Sequence, residues 1–165
     1  MGDCIVITDI DQTIMNTDKR AARADEAANR GTQKWWDAFF NPKLVVYDEP
    51  IGYSRLVLLH FQRDLGCRIV YLSARRLNMK EATIWSLDKH QFPKGDVLLR
   101  PSGESTEEFK AKWAKSLMVR HTIKYAIDND MAMVRMYQAM GIPAIHIEDN
   151  SAESWAKLMS DLMKS

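Results

Sequence analysis

Cys4-Ile5-Val6-Ile7-Thr8-Asp9-Ile10-Asp11-Gln12-Thr13 is the stretch on which the fold turns. Residues 4–8 are nearly all β-branched and apolar, as in a strand buried on both faces. Two carboxylates follow at once. A strand buried on both faces belongs inside a parallel sheet, and a parallel sheet needs crossover helices. The rest of the chain alternates in the way this requires.

Residues 12–30 break the pattern with polar and charged residues, and a helical piece, GTQKWWDAFF, follows. Pro50 opens a helical pattern that Gly66 closes, the expected asymmetry of helix ends. Val57, Phe61 and Leu65 form its core stripe. A second strand covers 68–72 and ends at Ser73. A helix over 77–90 leads to a short strand at 97–99. Residues 105–118 read as a helix, with Ser105 or Thr106 as N-cap and Glu108 placed for a capping box. A fourth strand at 123–127 ends on Asp128, and a helix then runs to about Met140, stopped by Gly141 and Pro143. A fifth strand spans 144–147. In the last helix Trp155, Leu158, Met159 and Leu162 lie on one face. The fold class expected is α/β: a Rossmann-like three-layer sandwich around a mostly parallel sheet.

Composition narrows the function classes. With 165 residues the chain suits one ordinary core. Its formal charge of +1 argues against a nucleic-acid binder held by bulk charge, though not against a local basic patch. No apolar run reaches the roughly 18 residues of a membrane helix. The N-terminus meets an acidic cluster at once and does not read as a secretory signal. Cys4 and Cys67 each begin an apolar run and read as reduced, buried thiols of a cytoplasmic protein. The four histidines lack metal-ligand spacing.

The polar residues cluster at strand ends. In a parallel sheet the carboxyl ends of the strands share one edge, where ligands bind. Asp9, Asp11, Thr13, Ser73, Asp128 and Asp130 therefore converge on one crevice. Carboxylates so close raise one another's pKa unless a cation lies among them. Mg²⁺ is the expected neutraliser, since it prefers oxygen ligands and keeps waters that a phosphate can replace. A calcium loop does not fit, because Ile14 and Arg20 stand where Gly and Glu are needed.

At this point the sequence resembles the haloacid dehalogenase (HAD) superfamily of phosphotransferases. The motifs are Asp9-Ile10-Asp11-Gln12-Thr13, Ser73, Lys110 and Asp128-Asn129-Asp130, in the family's order. Within it the chain is most similar to the 3'-phosphatase domain of phage-type polynucleotide kinase-phosphatases, through Ile69 to Arg75, Glu108-Phe109-Lys110 and Ala126 to Asp130. Gln12 departs from the usual Gly, and Asn129-Asp130 from the usual continuation. No GxxxxGK[ST] loop is present, so no kinase half is expected.

The resemblance implies a Mg²⁺-dependent phosphomonoesterase with one domain over 1–165 and a small cap at about 14–45. Asp9 would be the nucleophile and Asp11 the general acid and base. Ser73 and Lys110 would hold the phosphoryl group, with Lys112 and Lys115 as alternatives to Lys110. Metal ligands would be Asp9, the Asp11 carbonyl and Asp128, with Asn129 or Asp130 orienting the metal's waters. Thr13 would support the turn or touch substrate, and Arg75 and Arg100 would contact its phosphate or backbone. Trp35, Trp36, Phe39 and Phe40 either pack the cap, the favoured reading, or stack on a base. The substrate implied is a 3'-phosphate on a DNA or RNA end, with a separate kinase or ligase as partner. A nucleotidase acting on mononucleotides and a silent binding module with this fold are the alternatives.

Overall fold

A computed structural model describes residues 3–165; Met1 and Gly2, which open the N-terminal stretch read above, lie outside them. Five parallel strands form the main sheet in the order β5-β4-β1-β6-β7. They are β1 (Cys4–Thr8), β4 (Arg68–Arg76), β5 (Gly95–Arg100), β6 (Thr122–Asp128) and β7 (Ala144–His146). The strand quoted at the outset is the central one, with neighbours on both sides, which is why it is apolar throughout. Its side chains alternate between two cores. Val6 joins the cluster with Ile69, Tyr71, Val57, Phe61 and Trp155, while Ile5 and Ile7 join Val70, Leu72, Phe109, Met133 and Tyr137.

The helices that fill these cores are α3 (Ser54–Arg63), α4 (Lys80–Lys89) and α7 (Ala152–Met163) on the first face, and α5 (Thr106–Met118) and α6 (Met131–Ala139) on the second. The three-layer α/β reading holds. The capping box at the start of α5 forms as expected, Ser105 with Glu108.

Several expectations are corrected. Residues 12–30 hold a helix, α1 (Asp18–Ala27), whose apolar face is mostly alanine and so carries little hydropathy signal. α2 (Gln33–Phe39) follows it, and two short strands, β2 (Met15–Asn16) and β3 (Glu49–Pro50), pair antiparallel where this excursion leaves and rejoins the core. β4 is longer than 68–72 and carries Ser73 and Arg75 within it. β5 extends to 95–100, and Gly95 is required there because a Cβ would lie 2.0 Å from the Ile69 carbonyl oxygen. The fifth strand stops at His146, one residue short. Leu65 is exposed, since the helix ends before it at Arg63. Cys4 and Cys67 are not free thiols: they form a disulfide. Register explains it. Ile5 pairs with Arg68, so the residues before them stand abreast on adjacent strands, with Cα atoms 4.5 Å apart.

Candidate active site

The turn after β1 sets the two carboxylates. Asp9 N–H still donates to the Ile127 carbonyl at 2.9 Å, continuing the β1–β6 ladder by one residue. Ile10 is fully buried in the core, so Asp9 and Asp11, one on each side of it, both face the sheet edge. Gln12 then adopts φ 63°, the left-handed conformation that the glycine usual at this position would take freely. Asn150 N–H donates to the Gln12 carbonyl and Trp155 Nε1–H to the Thr13 carbonyl, so the start of α7 holds the turn from behind.

Thr13 is fully buried and does not reach toward substrate. Its hydroxyl lies 3.0 Å from both Asp9 Oδ2 and Asn129 Oδ1, and it accepts the Asn129 N–H at 3.1 Å. It ties the turn after β1 to the turn after β6. Lys110 Nζ lies 3.1 Å from Asp9 Oδ1 and 2.6 Å from Asp128 Oδ2, and is 2% exposed. That geometry selects Lys110 among the three lysines of its helix. Lys112 instead pairs with Glu104 and, like Lys115, lies away from the two carboxylates. Burial and the Asp128 charge push Asp9 up to about 7, against the pull of Lys110. Burial alone would lower the Lys110 ammonium, but Asp9 and Asp128 outweigh it and hold it above its ordinary value.

Asp11 meets a different environment. Its Oδ1 accepts from Arg20 Nη2 at 2.7 Å and from Arg75 Nε and Nη2 at 3.0 and 2.7 Å. Burial would raise this carboxyl; the two guanidinium groups overcome that and hold it at about 2. Both arginines also bind the buried Asp48, Arg20 through Nε at 2.9 Å and Arg75 through Nη2 at 2.7 Å. Arg75 is thus turned inward, 1% exposed, with Thr83 taking its Nη1–H. It positions Asp11 and has no free face for a substrate phosphate. Sequence reading missed Arg20 and Asp48 altogether.

Asp9, Asp11, Ser73, Lys110, Asp128, Asn129 and Asp130 line one cavity of about 420 Å³ at the carboxyl edge of the sheet. Ser73 accepts the Arg75 N–H through its hydroxyl oxygen. Asp130 accepts the Ala132 N–H as N-cap of α6, and its own N–H donates to Asp128 Oδ1. The far wall is aromatic: Trp35, Trp36, Phe39 and Phe40 from α2 and its end, with Arg30 beside them. Trp35 and Phe39 are buried and stacked, centroids 4.9 Å apart, whereas Trp36 is 40% exposed. Packing therefore accounts for most of the cluster and leaves Trp36 partly open. Arg100 lies outside this cavity, in a neighbouring groove with Gln33 and Arg76.

Among the described residues no three His, Cys, Asp or Glu side chains close on one point as a ready-made cage. The donor set nonetheless suits Mg²⁺, which binds through one or two carboxylates and leaves its other positions to water and substrate phosphate. Asp9 and Asp128 supply two carboxylates against the single charge of Lys110; burial first and the Asp128 charge second raise Asp9, and a cation between them would offset the second.

The family model of HAD superfamily subfamily IIIB (acid phosphatase) matches residues 2–134. The chain belongs to that family. It is a HAD-type phosphatase, and each motif that carried the resemblance contributes residues to the cavity just described. No curated protein matches the chain. Among solved structures it is similar to the class C acid phosphatase from Bacillus anthracis with tungstate bound, at 21% identity and TM-score 0.67, over 98% of this chain and 73% of that one. It is also similar to a chain of the Pnkp1/Rnl/Hen1 RNA repair complex, at 18% identity and TM-score 0.64. That match covers 90% of this chain but only 43% of the other, so this HAD phosphatase spans less than half the length of that relative. The HAD domain of the effector protein Lem4 from Legionella pneumophila matches at 17% identity and TM-score 0.54, over 99% and 96% of the two chains. At these identities the likenesses are of fold. Among the described residues no helix is long and apolar enough to cross a membrane.

Proposed function

We propose that this chain is a Mg²⁺-dependent phosphomonoesterase that removes the terminal phosphate of a nucleotide unit, first of all a 3'-phosphate on a DNA or RNA end. The observation that carries the reading is the bridge of Lys110 Nζ between Asp9 Oδ1 and Asp128 Oδ2 on the floor of the cavity. It marks the one oxygen of Asp9 that faces a cation-compensated space, while Thr13 occupies the other.

Asp9 Oδ1 attacks phosphorus, the P–O bond to the alcohol breaks, and an aspartyl-phosphate forms on Asp9. Asp11, two residues on and on the same side, gives the leaving alcohol its proton and then takes one from the water that hydrolyses the intermediate. The two arginines at its Oδ1 hold it as the carboxylate, which suits the second of these steps and opposes the first, so a proton must reach Asp11 before it can pass to the alcohol. Lys110 holds the nucleophile and a phosphoryl oxygen together, and Ser73 borders the phosphoryl site. Asp9 and Asp128, with the Asp11 carbonyl, would hold Mg²⁺, which supplies charge screening between the anionic nucleophile and the phosphate dianion. Asn129 and Asp130 border that position. The excursion from β2 to β3 acts as a small cap over the cavity.

The nucleic-acid reading is supported by the likeness of fold to the RNA repair chain and by the half-open Trp36, on which a terminal base can stack. A free mononucleotide is the second reading, favoured by a cavity of about 420 Å³ that one nucleotide would largely fill. The test is phosphate release with Mg²⁺ from a 3'-phosphorylated oligonucleotide, its 5'-phosphorylated twin, and 3'- and 5'-mononucleotides, with wild type and Asp9→Asn. Preference for the 3'-phosphorylated oligomer, lost in Asp9→Asn, supports end healing. Preference for mononucleotides selects the second reading. No Asp9-dependent turnover on any of them refutes both and leaves a silent module with this fold.

A further inference from the structure

The groove beside the cavity has features that the chemistry at Asp9 does not use. β4 and β5 pair in a register that sets Arg76 opposite Arg100 at the carboxyl edge of the sheet. With Gln33, Ser102 and Gly103 these two arginines line a polar hollow of about 490 Å³. Arg100 donates through Nη1 to the Glu104 carbonyl at 2.9 Å, but its Nε–H is closed off from solvent and has no partner among the described residues. An unpaired buried guanidinium N–H is costly to leave unmade. Arg76 spends one Nη1–H on Asp37 at 2.8 Å, an exposed ion pair of little strength, and keeps its other donors. Asp37 and Glu104 are the carboxylates near the groove; Arg76 pairs with Asp37, and Lys112 takes Glu104 Oε1 while Glu104 Oε2 is buried without a partner among the described residues.

The groove is joined to the cavity through one ring. The Arg76 guanidinium carbon lies 5.2 Å from the centroid of Phe40, and Phe40 lines the Asp9 cavity. α2 contributes Gln33 to the groove and Trp36 and Phe39 to the cavity. A substrate that places a phosphate at Asp9 and a nucleoside along the aromatic wall would bring its next phosphate to the arginine side of Phe40.

We propose that Arg76 and Arg100 form a subsite for a second, non-scissile phosphate of the substrate. Guanidinium forks match phosphate oxygens, and two arginines that line one hollow can bind one phosphate better than either alone. The inference rests on the phosphomonoesterase reading of the Asp9 cavity. The second phosphate has two sources, the next phosphodiester of a nucleic-acid strand or the 5'-phosphate of a nucleoside 3',5'-bisphosphate.

The test compares kcat/KM on a 3'-mononucleotide, the matching 3',5'-bisphosphate and a 3'-phosphorylated dinucleotide, for wild type, Arg76→Gln and Arg100→Gln. The expected result is a preference for the doubly charged substrates that falls roughly tenfold in each variant, the size of one charged hydrogen bond. A fall with the bisphosphate alone assigns the subsite to small nucleotides, and one with the dinucleotide assigns it to strands. An unchanged preference ratio in both variants overturns the subsite while leaving the phosphatase reading intact. Should no substrate turn over, the phosphatase reading fails, and calorimetry of bisphosphate binding to Asp9→Asn still decides the subsite. A roughly tenfold weaker Kd on adding Arg100→Gln supports it, and an equal Kd refutes it.

Discussion

Asp48→Ala tests the buried charge network that holds Asp11. Four side chains form it: Asp11 and Asp48 with Arg20 and Arg75, and three of the four are at most 2% exposed. Burial pushes Asp48 up and the two guanidinium groups pull it back; both of its oxygens accept N–H groups, so it is a carboxylate. The four charges then cancel. Removing Asp48 deletes three N–H···O bonds and leaves two guanidinium groups to share one carboxylate, a net buried charge of one. Breaking a buried pair by deleting one partner costs about 3–5 kcal/mol. For a domain of this size that lowers Tm by about 6–20 °C, at about 2–4 °C per kcal/mol. Thermal unfolding followed by circular dichroism reads it directly.

The double variant Asp48→Ala with Arg20→Met sharpens the test. It restores charge balance, leaving Asp11 with Arg75, so it should lose less stability than the sum of the two single changes. Asp11 would meanwhile lose part of its fixed orientation, and kcat should fall by more than KM rises. An Asp48→Ala Tm within about 3 °C of wild type, or strict additivity in the double variant, would refute the reasoning.

Lys110→Met should reduce kcat at least about 100-fold, in the range of lost electrostatic stabilisation, with the fold retained by circular dichroism. Mg²⁺ binding should release protons. Asp9 titrates near pH 7 without a cation, so calorimetry in buffers of different ionisation enthalpy should show about one proton released at pH 6 and nearly none above pH 8, and equal heats at pH 6 would contradict it. The same shift makes cation-free stability fall as pH rises: the folded chain keeps a proton between about pH 4 and 7 that the unfolded chain has lost, so Tm should decline across that window. Reducing the Cys4–Cys67 disulfide, which closes a loop of 63 residues in sequence separation, should cost about 4 kcal/mol and appear as a lower Tm in dithiothreitol.

What could be read from the sequence, and what could not, follows from where each residue's partner lies. Only the resemblance separates Lys110 from Lys112 and Lys115, whereas Asp9, Ser73 and Asp128 sit in or just after the carboxyl-terminal parts of strongly patterned strands, so topology alone carries them to one edge. The central strand, the other four strands and the flanking helices were legible for the same reason. Arg75 was placed correctly along the chain but given the wrong direction. An arginine at a strand end faces solvent or substrate by default, and only the buried carboxylates of Asp11 and Asp48 turn it inward. Those partners lie 64 and 27 residues away, beyond any periodicity. Arg100 is at the expected edge but on β5, at the rim of the sheet, so it lines the neighbouring groove rather than the Asp9 cavity.

Arg20 had a weaker signal that could have been used. In α1 it is flanked by Ala21, Ala24 and Ala28, small residues that allow close packing of a helix, with acidic and basic residues on the other sides. A charged residue beside such an alanine stripe has to find a buried partner or leave the helix face unburied. Asp48 is that partner, and it stands at the far end of the same excursion, where β3 rejoins the core. The two residues therefore bind the excursion to itself and, through Asp11, to the turn after β1. If the excursion works as a cap, its position and the orientation of the acid–base carboxylate are set by the same hydrogen bonds. A change in one is then felt by the other, without a separate hinge between them.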